Sequence, residues 1–213
     1  MAGRPRQIQT AEASPPGRRE RNKQEKLARI VEAARVLFSA KGFSETTTQE
    51  IAEAADIGTG TLFLYARSKE DLLVLVFKDE MITRAAAAFD AVPHPSPLID
   101  QLMHVFNIMA DYHERDMDLS RILLREIMFP ANNSRDAEIQ TLMREIYRGL
   151  ADLVIAGQTR GSLQTGANPQ LAAENLFGAY YMCLQVWLGG RQSRSAFVED
   201  LRLKLALQID GLT

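Results

Sequence analysis

The chain has 213 residues and a mass of 23.8 kDa, and 46% of its residues are hydrophobic, which is enough for a core in one compact unit or two small ones. Its single cysteine, Cys183, excludes a fold held by internal disulfides, and the apolar run around it favours a buried, unreactive thiol. The net charge of −2 hides an asymmetry: residues 1–45 contain ten Lys or Arg and five Asp or Glu, whereas the remainder contains fifteen and twenty-two. The amino-terminal part is therefore the part suited to binding nucleic acid phosphates.

Residues 1–20 are rich in Pro, Gly and Arg and have no apolar periodicity, so we expect a disordered basic arm. Arg4 and Arg6 flank Pro5, as in arginine arms that enter a DNA minor groove, and a merely solubilising tail is the alternative. This stretch also lacks the apolar segment of a signal peptide, which predicts a protein of the reducing cytoplasm.

The first predicted helix begins near Asn22. Its apolar residues recur at spacings of three and four, and Gly42 ends it. These apolar residues are Leu27, Ile30, Val31, Ala34, Leu37 and Phe38.

The next segment has the pattern of a helix-turn-helix. Thr47 and Glu50 form a Thr-x-x-Glu capping box, which predicts a helix from Thr48. Asp56 is expected in the turn with a left-handed backbone, because its short side chain tolerates that conformation. A second helix of about two turns is expected over residues 59–65, with Leu62 facing inward and an uncharged polar face outward.

Ser68 begins the following helix through Ser-x-x-Asp, with Lys69 in its first turn. With these residues in place, the segment over residues 22–77 resembles the DNA-binding domain of tetracycline-repressor-like (TetR family) regulators. The matching elements are Leu37-Phe38, Gly42, Thr46-Thr47, Ile51-Ala52, Gly60-Thr61-Leu62, Tyr65 and Ser68-Lys69-Glu70-x-Leu72. The sequence departs from the family pattern in having Asp56 in place of Gly, Gly58 in place of Ser, Phe63 in place of Tyr and Ala66 in place of Phe.

The resemblance implies an all-α fold of about nine helices. After the basic arm over residues 1–20, it implies a three-helix helix-turn-helix domain over residues 21–67 and a helical ligand-binding and dimerisation domain over residues 68–213. It also implies phosphate contacts from four side chains and base-edge contacts from others, within a DNA-binding set of Thr47, Thr48, Gln49, Thr59, Gly60, Thr61, Phe63, Leu64, Tyr65 and Lys69. The four phosphate-binding residues are Thr48, Thr61, Tyr65 and Lys69, and the residues near base edges are Gln49, Thr59, Gly60 and Leu64.

The remaining predicted elements are also helices. One ends before Pro93, one begins near Leu98, and a shorter one is closed by Pro130. A long helix with a wide apolar face runs from about Ile139 to near Gly161, and a further one has Asn168 as its N-cap with Pro at its first position.

The last two predicted helices are candidates for a dimer interface. Residues 175–190 carry no charge and are apolar on all sides, so protein must cover the whole helix. TetR-like proteins commonly dimerise through their last two long helices, and this pair is similar. The predicted interface residues are Met182, Val186, Trp187, Phe197, Leu201 and Leu205.

Soft and aromatic side chains in the regulatory domain either line an apolar pocket or form ordinary core. With the resemblance, they predict a site for an apolar or aromatic effector. The predicted lining residues are Met103, Phe106, Met109, Met128, Phe129, Met143, Tyr147, Phe177, Tyr180 and Tyr181.

An enzyme is not expected, and neither is a metal or another cofactor. The histidines His94, His104 and His113 lack the spacing of a zinc site, and we expect them at the surface or in ordinary salt-linked pairs. Two functions remain open: a dimeric repressor released from a pseudo-palindromic DNA operator by a small molecule, and a DNA-binding regulator whose second domain only dimerises or contacts a protein.

Overall fold

The computed structural model describes residues 17–129 and 135–213, and these residues form nine helices and no strand. The helices are α1 (Arg18–Lys41), α2 (Thr48–Ala54), α3 (Thr59–Leu62), α4 (Lys69–Asp90), α5 (Leu98–Glu114), α6 (Met117–Met128), α7 (Asp136–Thr159), α8 (Pro169–Leu188) and α9 (Arg194–Asp210). The all-α prediction is thus confirmed. The basic arm up to residue 16 and the helix-closing Pro130 lie outside the described residues.

Helix α1 begins four residues before the expected Asn22. Gly17 is its N-cap, and Arg18 and Arg19 in its first turn are exposed. Arginine has a high helix propensity but is not apolar, so the first turn of α1 adds nothing to the apolar periodicity. The periodicity therefore indicated only the later part of the helix, which packs against the core. Its end is as expected, since Gly42 has φ +84°.

The turns around α2 and α3 follow the sequence closely. Thr47 and Glu50 form both hydrogen bonds of the capping box, and Asp56 has φ +54°. Helix α3 is shorter than expected, because regular α-helical structure ends at Leu62 and turns continue the chain through Tyr65. Leu62 is fully buried, as its spacing predicted.

Helix α4 joins the amino-terminal helices to the rest of the protein. All seven residues from Asp71 to Phe77 are buried, so this part of the helix is covered on every side. It packs against α1 and also against α5, α6 and α7. The core is therefore continuous across the boundary that we expect between residues 67 and 68.

Helices α5 to α9 form the larger part of the bundle. Helix α8 packs between α7 and α9, and α9 also lies against α5. Asn168 accepts hydrogen bonds from the amides of Gln170 and Leu171, which confirms the predicted N-cap. Among the described residues, no helix combines enough length and apolarity to cross a membrane.

Candidate nucleic-acid interface and apolar cavity

The start of α2 is fixed by a network of charged and polar contacts. The Glu50 carboxylate accepts hydrogen bonds from the Thr47 amide and hydroxyl, both at 2.8 Å, and forms an ion pair with Lys41. The hydrogen bond from Lys41, followed by those from Thr47, lowers the pKa of Glu50 to about 2. The network ties the end of α1 to the first turn of α2.

The ten predicted DNA-binding residues lie between the N-cap of α2 and the first residue of α4. Leu64 is 83% exposed and Phe63 is 46% exposed, so both large apolar side chains are accessible to a partner. The exposed members are Thr47, Gln49, Gly60, Phe63 and Leu64, and the half-buried ones are Thr48, Thr59, Thr61, Tyr65 and Lys69. None of the ten is buried, and their contacts with DNA remain a prediction.

Lys69 has a structural role that the sequence did not reveal. Its ammonium donates to the carbonyl oxygens of Phe43, Ser44 and Thr46 at 2.7, 3.2 and 2.9 Å, and lies 4.4 Å from the centre of the Phe43 ring. An ammonium has three donors, so all of them are occupied. Lys69 thus holds the α1–α2 loop against the start of α4, and a phosphate contact would require it to release at least one carbonyl.

Arg135 connects the start of α7 to the end of the α3 turn. Its guanidinium donates to the backbone carbonyl of Tyr65 and to Glu138 at 3.0 Å, and it lies 3.8 Å from the Asp71 carboxylate. Arg135 is only 8% exposed. No local sequence pattern indicates this contact, because the two segments are 70 residues apart.

A second feature is an apolar cavity of about 340 Å³ between helices α4, α5, α6, α7 and α8. Most of its wall is aliphatic, methionine or aromatic, with few polar groups. The lining residues are Phe77, Met81, Met109, His113, Leu124, Ile127, Met128, Ile139, Leu142, Met143, Ile146, Tyr147, Glu174, Phe177, Gly178, Tyr180, Tyr181 and Leu184.

Seven of the ten predicted ligand-binding residues line this cavity: Met109, Met128, Met143, Tyr147, Phe177, Tyr180 and Tyr181. The other three do not line it. Met103 and Phe106 are buried in solid core outside the cavity wall, where the Phe106 ring stacks on Tyr180 at 4.6 Å. Phe129 is 76% exposed, because it follows the last turn of α6 and no helix covers it.

His113 is predicted at the surface or in a salt-linked pair, and the structure shows neither. The side chain is 2% exposed and lies in the cavity wall, since it is in the last turn of α5 on the same face as Met109. Its Nδ1 is 3.1 Å from the Ser120 hydroxyl of α6. Burial lowers the pKa of His113 to about 4.

Four of the six predicted dimer-interface residues are covered within a single protomer. Trp187, Phe197, Leu201 and Leu205 are at most 3% exposed within one protomer, because α8 and α9 direct them at each other and at α5. Met182 is 60% exposed and Val186 is half-buried, so these two remain available to a partner. The accessible apolar residues that the sequence analysis missed are Leu203 at 66% and Leu207 at 75% exposure.

Cys183 and the metal-ligating side-chain types are also candidate reactive groups among the described residues. Cys183 is buried, as predicted, and burial raises the pKa of its thiol. Among residues 17–129 and 135–213, no three His, Cys, Asp or Glu side chains are placed to hold a metal ion. A charged cleft of about 390 Å³ lies between α1, α4 and the α5–α6 junction, and its Arg35 is paired with Glu32.

Comparison with known proteins agrees with this architecture. Residues 30–76 match the family described as bacterial regulatory proteins, tetR family. The chain is 23% identical over 176 residues to the fatty acid metabolism regulator protein of Bacillus subtilis, covering 79% of this chain and 86% of that protein. It is 28% identical over 189 residues to the transcriptional repressor KstR of Rhodococcus jostii, covering 88% and 84%.

A solved structure is similar over most of its length. FadR of Thermus thermophilus, a TetR family transcriptional repressor in complex with lauroyl-CoA, superposes with a TM-score of 0.71. The two sequences are 25% identical, and the match covers 88% of this chain and 95% of that one. These relatives are regulators or repressors, in agreement with the expectation that the chain is not an enzyme.

Proposed function

We propose that this chain, whose residues 30–76 match the tetR family of bacterial regulatory proteins, is a homodimeric repressor released from a pseudo-palindromic operator by an apolar small molecule. In this proposal α2 and α3 read the DNA major groove, with phosphate and base contacts from the ten residues named above. A dimer is required because one short reading helix contacts too few base edges for specific binding in a genome.

The observation that carries the proposal is the cavity among α4 to α8. Its volume of about 340 Å³ is within the range of small-molecule sites, about 300–1,000 Å³. A concave, largely apolar space of this size is typical of a small-molecule site. Its wall matches an effector with a largely apolar body.

Two helices reach from the cavity to the reading unit, which consists of α2, α3 and the turn through Tyr65. Helix α4 contributes Phe77 and Met81 to the wall and carries Lys69 beside the α1–α2 loop. Helix α7 contributes Ile139 and, one turn earlier, Arg135, which holds the Tyr65 carbonyl. A ligand that shifts either helix thereby changes the placement of α3, and a coupling of about 1–3 kcal/mol gives a five- to 150-fold change in operator affinity.

Fatty acyl thioesters are the first effector class to test. The structure of the similar Thermus thermophilus repressor was solved in complex with lauroyl-CoA, and the Bacillus subtilis relative is a fatty acid metabolism regulator. In the alternative function the second domain only dimerises or contacts a protein. A second domain without a cavity would favour this alternative, and the observed cavity is evidence against it.

The test combines operator binding with effector titration. Genome-wide mapping of bound sites provides the operator, and fluorescence anisotropy then measures affinity for the full site and for one half-site. We expect tight binding to the full site only, and release by lauroyl-CoA but not by free coenzyme A. A variant that fills the cavity, Met143→Trp, should bind the operator normally and lose the response. Operator binding that no apolar compound weakens would support the alternative function.

A further inference from the structure

We propose that His113 selects the effector by presenting an unprotonated Nε2 to the cavity, so that the preferred effector carries a hydroxyl or another hydrogen-bond donor on its apolar body. This inference rests on the proposed function, since it names the chemistry that the effector cavity accepts.

The position of His113 makes it a polar point in an apolar wall. Its ring lies 5.8 Å from the Phe77 ring, and the cavity wall around it includes Met81, Met109 and Leu124. None of these neighbours is able to donate a hydrogen bond. Nδ1 is on the side of Ser120, so the remaining ring nitrogen is the one available to a ligand in the cavity.

The hydrogen bonds of Ser120 determine which nitrogen carries the proton. The Ser120 hydroxyl lies 3.3 Å from the backbone carbonyl of His113, which belongs to the last turn of α5 and has no donor within that helix. A hydroxyl has one hydrogen, and donating it to this carbonyl leaves the oxygen to accept from Nδ1–H of His113, 3.1 Å away. A neutral imidazole has one N–H, so Nε2 is left with a lone pair.

The charge state agrees with this assignment. Burial holds the pKa of His113 near 4, so the ring is uncharged at neutral pH and carries a single proton. Within the described part of the chain, no group donates to Nε2. A ligand that fills the cavity without a donor leaves this acceptor buried and unsatisfied, which weakens its binding.

Possible ligands then fall into two classes, those that carry a hydrogen-bond donor and those that do not. Alcohols, phenols, amides and hydroxylated acyl chains offer a donor, whereas hydrocarbons, ethers and plain saturated acyl chains do not. An ether oxygen or a carbonyl opposite Nε2 would place two acceptors together. We therefore expect a hydroxylated chain or a phenol to fit better than a saturated chain of the same length.

Nitrogen-15 NMR of the full-length protein labelled at histidine tests the assignment directly, without DNA or effector. Long-range nitrogen–proton spectra distinguish the two neutral forms of the ring, and His113→Phe identifies the signals of this residue. We expect His113 as the Nδ1–H form at pH 7 and still uncharged at pH 6. An Nε2–H form or a charged ring would overturn the inference.

Calorimetry with two isomers of the same formula, 1-decanol and 1-methoxynonane, tests the consequence. The alcohol should bind about two- to tenfold more tightly, as expected for one net hydrogen bond. His113→Phe should abolish this difference, while His104→Phe, on the same helix and outside the cavity wall, should keep it.

Equal affinities in the unmodified protein, or no binding of either isomer, would overturn the inference. The proposed repressor function is judged separately by operator binding and by release with lauroyl-CoA, so the two ideas fail by different measurements.

Discussion

Side chains at the proposed DNA surface differ in how far they are already engaged within the protein. Lys69 has all three donors on backbone carbonyls, and Thr47 serves as the cap of α2. Gln49, in contrast, is exposed and contacts only the neighbouring Glu53, at 3.0 Å. Gln49 is thus the residue freest to read a base, while substitutions of Lys69 and Thr47 affect the shape of the reading unit as well.

Gln49→Ala should change the sequence preference of the protein with little effect on its stability. A glutamine pairs bidentately with adenine, and such a pair discriminates against the wrong base by about 1–3 kcal/mol. Anisotropy with operators altered at each position should show that one base position loses its preference. The matched control is Gln170→Ala, which removes the same kind of contact, Gln170 to Glu174 at 3.3 Å, from α8. An unchanged preference would show that α2 does not place Gln49 at a base.

Glu50 should make stability depend on pH below its ordinary pKa of 4.5. Its folded pKa of about 2 is lower than the unfolded value, so its stabilising contribution is complete above pH 4.5 and is lost as the pH falls toward 2. In Glu50→Gln the capping hydrogen bonds remain possible, but the charge opposite Lys41 is gone. Urea unfolding should show a difference between the two proteins at pH 6 that shrinks by pH 3. A constant difference would contradict the assigned role of the charge.

At the scale of helices, α4 and α7 each have one part in the cavity wall and another against the reading unit. Helices transmit displacement because their backbone hydrogen bonds keep them stiff over several turns. Arg135 is the contact through which α7 acts. A hydrogen bond from a charged, buried guanidinium to a carbonyl is stronger than a neutral one, which makes this link sensitive to the position of α7.

Arg135→Leu should weaken operator binding and lower the free energy of unfolding by about 1.5–3 kcal/mol, since the Tyr65 carbonyl loses its charged donor. Anisotropy and urea unfolding measure the two effects. The matched control, Arg148→Leu, removes an exposed arginine of the same helix that pairs with Glu145, and should change stability by less than about 0.5 kcal/mol. Equal effects of the two variants would show that the Tyr65 contact carries no special weight.

At the scale of the whole molecule, the outer surface of α8 and α9 is the candidate dimer interface. Met182, Leu203 and Leu207 are all at least 60% exposed, although each is large and apolar. A second copy of the chain would remove this surface from water, at about 25 cal/mol for each Å² of apolar area. Two copies joined by these helices would present two reading units to successive major grooves.

Leu207→Glu should raise the dimer dissociation constant roughly tenfold or more, because the interface would bury an unpaired carboxylate. Analytical ultracentrifugation across a range of concentrations measures this constant. Val36→Glu is the control, since Val36 is 50% exposed on α1, which packs against α2 and α4 and not against α8 or α9. A dimer unaffected by Leu207→Glu would place the interface elsewhere.

The sequence by itself determined the features that depend on residues a few positions apart. The capping box of Thr47 and Glu50, the left-handed Asp56, the end of α1 at Gly42 and the Asn168 cap are all such features. Their hydrogen bonds and backbone angles are local, so the residue types specify them wherever the segment lies. The helical periodicity likewise determined the all-α fold and the inward position of Leu62.

Only the tertiary structure decided which face of a helix is covered and which distant groups meet. Helix α9 has two pairs of leucines, Leu201 with Leu205 and Leu203 with Leu207. The second pair is displaced from the first by two residues, which is about 200° around the helix, and the sequence does not say which pair faces inward. The same holds for His113 beside Ser120, Lys69 among three carbonyls, and Arg135 at Tyr65. These contacts depend on how whole helices pack against one another, and local sequence patterns do not specify that packing.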